Sequence, residues 1–375
     1  MDESDEIKIE RKSEKKIDSE KSSARPFYSA SDPYSNKEIT PPTNNETFKR
    51  FSMISFDDNI NDNPEKKKNG NIFFKRLICF KSFDNKNIIA FINNNSIIIE
   101  KDDEKIKLES RNYIIDINNF LLNDIDYIMY SIFDGSFRIY NLDNGETQII
   151  ENVFDKKVNI SLCTILYENN IYIIGCSESE NIKIYNYNNA TSSEYYPIEN
   201  NNETKYYFIK SFYSEKEKKN FIIFSSKSNN ENKINSIDFI NKTIYNIYNY
   251  ENYECDYFEI NKYNNEEYLF VCYKQDIICY NFHNSEIYNK FKLYDELKFR
   301  GLSIYKEFIF LGGYYPNQSH IFKYKILNDK NQEEIQEEIF IYDNLIITDL
   351  KIFNDILIIY NRDDETIKKF KIFYE

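Results

Sequence analysis

One short motif recurs along most of the chain about every 45 residues, and this recurrence restricts the fold more than any other feature. The motif is an apolar residue, any residue, an apolar residue and an aromatic residue, followed by Asn or Lys and a turn. It is clearest in residues 137–141 (FRIYN), 182–186 (IKIYN) and 277–281 (IICYN). Its seven anchor residues lie 41 to 54 positions apart: Ile99, Tyr140, Tyr185, Phe239, Tyr280, Tyr324 and Phe370.

The segments between the anchors alternate apolar and polar residues and are interrupted by Asn, Asp, Gly and Ser, which is typical of short β-strands joined by tight turns. A repeat of this length predicts one four-stranded unit per copy. Such a sheet cannot bury both faces alone, whereas radial stacking buries them. We therefore expect an all-β fold, a seven-bladed β-propeller of four-stranded antiparallel blades. We also expect residues 71–76 to form the outer strand of blade seven and close the ring.

The third strand of one repeat carries a resemblance to a known family. Residues 134–141 read Asp-Gly-Ser-Phe-Arg-Ile-Tyr-Asn. This segment resembles the corresponding element of WD40-type β-propellers, with Tyr-Asn where Trp-Asp is usual. The chain has no Trp, and the resemblance, which covers about residues 71–375, depends on period and strand pattern. It implies the same fold and a role in binding other proteins. Two polar segments, residues 225–235 and 312–319, are expected to form loops.

Proline, glycine and charge divide the chain into two regions. Five of the seven Pro lie in residues 1–70, and all seven Gly lie at or after position 70. Residues 1–70 are rich in Ser, Lys, Glu, Asp and Asn and have no sustained period, so we expect a disordered N-terminal arm. Residues 71–375 are expected to form the propeller.

The charge of the expected propeller favours protein partners. The chain carries −14 overall, and residues 1–70 hold 13 basic and 15 acidic side chains, which leaves −12 on the remainder. Such a body repels nucleic acid and anionic lipid on average, so we expect no nucleic acid partner and little membrane binding. Because no apolar leader or spanning segment is present, we expect a cytoplasmic protein. The oligomeric state stays open.

Residues that carry enzymatic or metal chemistry are scarce. The only histidines, His283 and His320, fall in different repeats, where we expect a solvated turn residue and a rim residue. Glycine-rich phosphate loops and nucleophile elbows are absent. Six Cys without close spacing favour reduced, mostly buried thiols, and Cys272 and Cys279 could face each other across a hairpin. We expect no catalytic residue, metal or cofactor.

One group of residues is a candidate protein-binding surface. In propellers of this type, the loops that enter a blade and those that join its second and third strands share one face. This rule brings five residues together over blades five to seven: Lys274, Arg300, Tyr314, Tyr315 and Arg362. Exposed aromatic residues with Arg are frequent at interaction hot spots, although the tyrosines could equally pack their own loop.

The function that we expect is a non-catalytic interaction platform, a scaffold or adaptor that binds peptides or protein surfaces through propeller-face loops. One alternative is a glycosidase-like propeller enzyme, which should concentrate carboxylates with shifted pKa values in a central pocket. Another is a phosphoinositide binder, because Phe299-Arg300-Gly301 resembles a shortened form of the Phe-Arg-Arg-Gly signature of autophagy propellers.

Overall fold

The computed structural model describes residues 75–372, apart from short gaps at 94, 103, 152, 155–160, 178–179, 196–203, 229–230, 252–256, 274–275, 293–297, 316–317, 327–335, 344–346 and 362–364. Every regular element of the described residues is a β-strand, and none of these residues is helical. The arm predicted at residues 1–70 lies outside this part of the chain.

The first four sheets each contain four strands that follow one another in sequence. Blade one is β1 (Leu77–Lys81), β2 (Asn87–Asn93), β3 (Ser96–Lys101) and β4 (Glu104–Glu109). Blade two is β5 (Ile114–Leu122), β6 (Ile125–Ile132), β7 (Phe137–Asn141) and β8 (Thr147–Ile150). Blade three is β9 (Ser161–Tyr167), β10 (Asn170–Ser177), β11 (Glu180–Asn186) and β12 (Thr191–Tyr195). Blade four is β13 (Lys205–Ser214), β14 (Lys219–Ser228), β15 (Glu231–Asp238) and β16 (Ile244–Glu251).

The last three sheets continue the same order. Blade five is β17 (Tyr257–Tyr263), β18 (Glu266–Tyr273), β19 (Asp276–Asn281) and β20 (Ile287–Lys292). Blade six is β21 (Lys298–Tyr305), β22 (Phe308–Tyr315), β23 (Gln318–Lys325) and β24 (Gln336–Asp343). Blade seven has three strands among the described residues: β25 (Ile347–Phe353), β26 (Ile356–Asn361) and β27 (Thr366–Lys371). All neighbouring strands pair antiparallel, as they do in β1–β2 and β26–β27.

The third strands confirm the repeat found in the sequence. Six of the seven predicted anchors lie in the third strand of successive blades, and Phe239 directly follows β15. All seven anchor side chains are buried. The aromatic anchors pack between neighbouring sheets: the Tyr185 ring lies 5.6 Å from that of Phe137 in the preceding blade.

The first strands of the blades form a closed ring. Backbone contacts join β1, β5, β9 and β13 in order and join β17, β21, β25 and β1 in order. Between β13 and β17 the contact is made by side chains, as between Phe208 and Phe258. Blades four and five are joined by an ion pair between Lys210 and Glu259. The architecture is therefore a seven-bladed β-propeller, as predicted. We call the face with the turns between first and second and between third and fourth strands the lower face. The opposite face, with the second-to-third turns and the connections between blades, is the upper face.

The prediction for the ring closure is wrong for the residues that can be compared. Lys75 and Arg76 belong to no strand. The backbone N–H of Arg76 instead donates to Asp349 Oδ2 at 3.0 Å, and Asp349 belongs to β25, the innermost strand of blade seven. These two residues therefore lie beside the ring axis and not at the outer edge. Residues 71–74 lie outside the described residues.

Both segments that were expected to be loops are mostly paired strands. Ser225 and Ser228 pair with Ile234 and Glu231 across β14 and β15, so the insertion lengthens a hairpin. Its polar side chains are satisfied inside the sheet: the Asn235 amide donates to Ser226 Oγ at 3.1 Å. Residues 312–315 and 318–319 likewise belong to β22 and β23 and are paired up to Tyr315 and Gln318.

Asparagine and aspartate form most of the tight turns on the lower face. Four hairpins between first and second strands have two residues with positive φ, as a type I′ turn requires: residues 123–124, 168–169, 264–265 and 354–355. Seven of these eight residues are Asn or Asp, which tolerate the left-handed region better than other non-glycine residues. The expectation that Asn and Asp mark tight turns between the strands is confirmed at these hairpins.

Candidate functional site

The strand register places three of the five predicted binding residues at one edge of blade six. Tyr314 pairs with Lys298 in β21 and with Ser319 in β23, and Tyr315 pairs with Gln318. Arg300 is the unpaired residue of a bulge between Phe299 and Gly301. This edge belongs to the upper face, in agreement with the loop rule.

Lys274 and Arg362 lie outside the described residues. They fall in the connections from β18 to β19 and from β26 to β27, which are second-to-third turns like the one that follows Tyr315. The topology therefore puts the three described positions at the upper edge of blade six. That all five positions form one binding surface stays a prediction.

Gly301 has a packing role beside this edge. A Cβ atom on Gly301 would lie 2.9 Å from the backbone nitrogen of Leu350 in blade seven. The absence of a side chain therefore lets the first strands of blades six and seven approach closely. Packing alone explains this glycine of the Phe299-Arg300-Gly301 segment.

A charged cluster lies at the ring axis and joins three blades. We call Lys210 of β13, Tyr257 and Glu259 of β17 and Lys351 of β25 the axial cluster. Lys210 Nζ lies 2.6 Å from Glu259 Oε2, and the Tyr257 hydroxyl donates to the same oxygen at 2.8 Å. Lys351 Nζ lies 3.5 Å from that oxygen. Two cations and one hydroxyl thus share a single carboxylate.

Burial and charge shift the pKa values of the axial cluster. Burial lowers the pKa of Lys210 to about 8, although Glu259 opposes this change. Burial alone would raise the pKa of Glu259, but the ammonium groups of Lys210 and Lys351 hold it at about 2. Burial raises the pKa of Tyr257 well above its usual value. At neutral pH the group therefore contains an ionised Glu259 and a neutral tyrosine.

Two buried aspartates fasten the first strands to one another. Asp116 of β5 accepts backbone N–H groups from Lys75 at 2.9 Å and from Leu162 at 2.8 Å, so one carboxylate joins blades one, two and three. Asp349 of β25 accepts N–H groups from Arg76 at 3.0 Å and Leu77 at 3.1 Å. Burial raises the pKa of both carboxyl groups. Backbone N–H groups donate to the oxygens of both carboxylates.

The histidines lie in more buried positions than the sequence indicates. His283 occupies the predicted turn, but its side chain is 13% exposed and Nδ1 lies 2.8 Å from Glu217 Oε1 of blade four. Its Nε2 lies 2.9 Å from Glu267 Oε2 without the alignment of a hydrogen bond. His320 is buried in β23 and stacks on Phe322, with 6.0 Å between ring centroids. Both predictions underestimated how far neighbouring strands cover these rings.

The described cysteines are free thiols, as predicted. Cys272 pairs with Ile277 and Cys279 with Phe270, so the two thiols are diagonal neighbours and not opposite one another. Burial raises the pKa of Cys163 to about 12. Within the part of the chain that the structure covers, no group of three His, Cys, Asp or Glu side chains could hold a metal ion. No helix among the described residues has the length and apolar character that a membrane span needs.

The sequence does contain a signal for the axial cluster, although the repeat pattern alone does not reveal it. Lys210, Glu259 and Lys351 each directly follow an apolar residue in the first strand of a blade. An alternating strand with one charged residue on its polar side looks solvent-facing in isolation. Only the ring geometry, which turns that side toward the axis, shows that these charges meet.

Comparison with solved structures identifies the type of propeller. The chain is similar to the β-propeller domain of Cps50 (Swd1) from Myceliophteria thermophila, with 9% sequence identity and a TM-score of 0.55 over 80% of this chain and 97% of that chain. It is also similar to Raptor from Chaetomium thermophilum, with 12% identity and a TM-score of 0.56 over 82% of this chain and 29% of that chain. The fold is that of a WD40-type β-propeller.

These identities are low enough that the similarity concerns the fold alone. No protein-family model matches the chain, and no curated protein matches its sequence. In this propeller the Asn of the Tyr-Asn motif has a definite structural role. Asn141 Oδ1 accepts the backbone N–H groups of Asp143 and Asn144 at 2.8 and 3.2 Å and so starts the turn to the fourth strand.

Proposed function

We propose that this propeller is a non-catalytic platform, a scaffold or adaptor that binds peptides or protein surfaces through the loops of its faces. The observation that carries the proposal is which groups the carboxylates near the axis are bonded to. Glu259, Asp116 and Asp349 are engaged with lysine or with backbone N–H groups that connect blades. Their geometry fits a role in holding the ring together, which leaves the turns on the two faces for recognition.

The glycosidase-like alternative requires two carboxyl groups that flank a substrate bond. The carboxylates near the axis point to backbone donors and lysines of neighbouring blades, an arrangement that favours the platform. We further propose that the protein acts in the cytoplasm with protein or peptide partners. Its net charge of −14 disfavours polyanionic partners such as nucleic acid.

The upper edge of blades five to seven is the first surface to test. The experiment is an affinity capture with mass spectrometry that compares the intact chain with the variant Arg300→Glu/Tyr314→Ala/Tyr315→Ala. Arg111 and Tyr113, both exposed in the connection between blades one and two, provide a matched control elsewhere on the upper face. The control variant is Arg111→Glu/Tyr113→Ala.

We expect the intact chain and the control to retain specific protein partners that the triple variant loses. If all three chains retain the same partners, the platform stands and its contact surface lies elsewhere. If the intact chain captures no specific protein, the platform proposal fails, and binding to glycans and to phosphoinositide vesicles should be measured instead.

A further inference from the structure

Solvent reaches the charged groups at the centre of the ring. The blades of a β-propeller surround a central channel. The side chains of Glu259 and Lys351, which meet at the axis, are 19% and 21% exposed, and that of Lys210 is 10% exposed. Water therefore enters the channel as far as the axial cluster, and a small solute can follow the same route.

Two ammonium groups of the axial cluster share the same two acceptors. Lys210 Nζ and Lys351 Nζ lie 2.6 and 3.5 Å from Glu259 Oε2. They also donate to the hydroxyl oxygen of Tyr257, at 3.3 and 3.4 Å. An ammonium group has three N–H donors. Among the described residues, these acceptors therefore leave at least one donor of each lysine available to a further acceptor.

Lys75 and Arg76 bring two more cations to the axis. Lys75 Nζ donates to the carbonyl of Leu162 in blade three at 2.9 Å, and Arg76 Nη1 donates to a carbonyl of blade two at 2.9 Å. Both acceptors are neutral, and neither cation has an ion pair within the described part of the chain. After burial and the ammonium group of Lys351, that of Lys75 also contributes to lowering the pKa of Lys210.

The innermost strands carry an excess of positive charge in a chain that is acidic as a whole. The first strands of the seven blades contain seven basic and three acidic residues, whereas the whole chain carries −14. The three acidic residues are Asp116, Glu259 and Asp349, and backbone N–H groups already donate to both aspartates. Positive charge that is removed from bulk water without enough carboxylates costs free energy, and a bound anion lowers this cost.

We propose that the axial channel binds a small free oxyanion of the phosphate class between Lys75, Lys210 and Lys351. A tetrahedral oxyanion has four acceptor oxygens, so it can accept the remaining donors of several ammonium groups at once, through charge-assisted hydrogen bonds. The negative charge of the whole chain acts over long distances that salt screens, whereas a bound ion meets the lysines directly. The proposal goes beyond the platform function and does not depend on it.

The test is equilibrium dialysis of the full chain against radiolabelled inorganic phosphate at pH 7 and low salt. We expect saturable binding of about one phosphate per chain, because the three ammonium groups converge on one place. Unlabelled sulfate should displace it, and chloride should do so at least about tenfold more weakly. Phosphate should also raise the midpoint of thermal unfolding, since a ligand that binds only the folded state stabilises it.

Variants locate the bound phosphate. Lys351→Met and Lys75→Met each remove one ammonium group and keep an unbranched side chain, and we expect each to bind phosphate at least about tenfold more weakly. The control is Lys262→Met, which removes a lysine of the exposed ion pair with Glu215 and should bind as the intact chain does. Thermal unfolding without phosphate shows that each variant is folded. Because Lys75 has no ion pair within the described part of the chain, its variant keeps the test available if Lys351→Met unfolds.

Glu259→Gln gives a change in the opposite direction. Its neutral amide no longer competes for the two lysines, so we expect this variant to bind phosphate at least about tenfold more tightly than the intact chain. Phosphate should then raise its unfolding midpoint by more than that of the intact chain. Lysines that serve only to hold blades together would not produce this gain.

Four results would overturn the proposal. The intact chain could show no saturable phosphate binding, or Lys75→Met and Lys351→Met could bind as the intact chain does. Lys262→Met could lose as much affinity as they do, which would place the bound ion elsewhere. Chloride could compete as well as sulfate, which would mean that the axis does not select an oxyanion. The platform function and its capture experiment are unaffected by any of these results.

Discussion

The turns between third and fourth strands in blades two to five show how single residues replace glycine in this protein. Each begins with an Asn or Asp whose side-chain oxygen accepts two backbone N–H groups, and four residues later the chain turns through a positive φ. That second position is Gly145, Ala190, Lys242 and Ser285 in successive blades, with φ of 75°, 53°, 57° and 57°. Only one of the four is the residue type that adopts this conformation without strain.

We predict that Ala190→Gly stabilises the protein by about 0.5–1 kcal/mol, because glycine relieves the left-handed strain and loses only part of this gain to the entropy of its unfolded state. Urea denaturation checks this prediction. The matched reverse change is Gly145→Ala, whose Cβ would have room, with Tyr140 Oη as its nearest contact at 3.6 Å. It should destabilise by about 1 kcal/mol through the backbone alone. Shifts of the same sign in the two variants would contradict the explanation.

For single residues, the sequence predicted where strands end better than which side chains are buried. The aromatic residue before Asn or Lys marked the end of the third strand correctly in most blades, because an alternating run that stops at a turn residue has few other structures. The sequence did not reveal the direction of the side chains. His283 looks solvated in a turn of polar residues, yet Glu217 of the previous blade covers it. Contacts between residues 66 positions apart leave no local pattern.

At the scale of strands, four of the first strands have a register shift near their start: β5, β13, β21 and β25. In β5 the register shifts between Ile114 and Ile117, and the freed N–H of Asp116 donates to Ser131 Oγ at 3.1 Å. In β13 the N–H of Phe208 donates to Ser225 Oγ at 3.1 Å after the same kind of shift. A serine on the second strand thus satisfies the amide that a bulge would leave unpaired.

The bulge in β21 gives a sharper test. Because the Cβ of an alanine at position 301 would lie 2.9 Å from the nitrogen and 3.1 Å from the Cβ of Leu350, we predict that Gly301→Ala destabilises the protein by about 1–3 kcal/mol. Thermal and urea unfolding measure the loss. Gly145→Ala is the control for a glycine change that adds no clash, and its loss should be smaller. A Gly301→Ala variant as stable as the natural chain would show that blades six and seven are not closely packed here.

The wrong prediction of a loop at residues 225–235 has a physical reason. Residues 225–235 contain Ser and Asn at positions where strands usually carry apolar side chains. Sequence patterns treat such residues as solvent-facing because burying them costs energy unless each finds a partner. In blade four Ser226 and Asn235 bond to each other, and Ser225 caps a bulge. The cost is thus removed by contacts that appear only after the strands pair.

At the scale of the whole molecule, the spacing of the repeat was sufficient to predict seven blades. The contacts that close the ring and those at its axis were not predictable in the same way. They join residues that are far apart in sequence and meet only in the ring. Arg76 and Asp349 are 273 positions apart, and Lys351 and Tyr257 are 94 apart. The candidate upper surface was predictable only as a set of positions, through the loop rule.

The axial cluster should make the free energy of unfolding depend on pH, and a substitution of Glu259 should change that dependence. Glu259 has a pKa of about 2 in the folded protein against an ordinary value of 4.5, so its contribution is complete above about pH 4.5 and is lost as the pH falls toward 2. Lys210 has a pKa of about 8 against an ordinary 10.5. Between about pH 8 and pH 10.5 the unfolded chain therefore binds more protons at Lys210 than the folded chain does. The contribution of Lys210 to stability rises with pH over this range.

We predict that Glu259→Gln lowers stability at pH 7 by about 3–5 kcal/mol, because two buried ammonium groups lose their shared carboxylate. The variant should regain part of this loss as the pH is raised from 7 toward 10, since removing Glu259 lowers the pKa of Lys210 further and the neutral amine costs less to bury. It should also lose the acid-dependent contribution below pH 4.5 that this carboxylate makes in the natural chain. Urea denaturation at a series of pH values measures all three effects.

The matched control for this prediction is Glu215→Gln, which removes the carboxylate of an exposed ion pair with Lys262 on the lower face. Screening by solvent makes such a pair worth little, so the control should keep the unfolding free energy of the natural chain across the pH series. Equal losses in the two variants would mean that the axis is as well hydrated as the surface. The axial cluster would then be a solvated group and not a link that holds blades four, five and seven together.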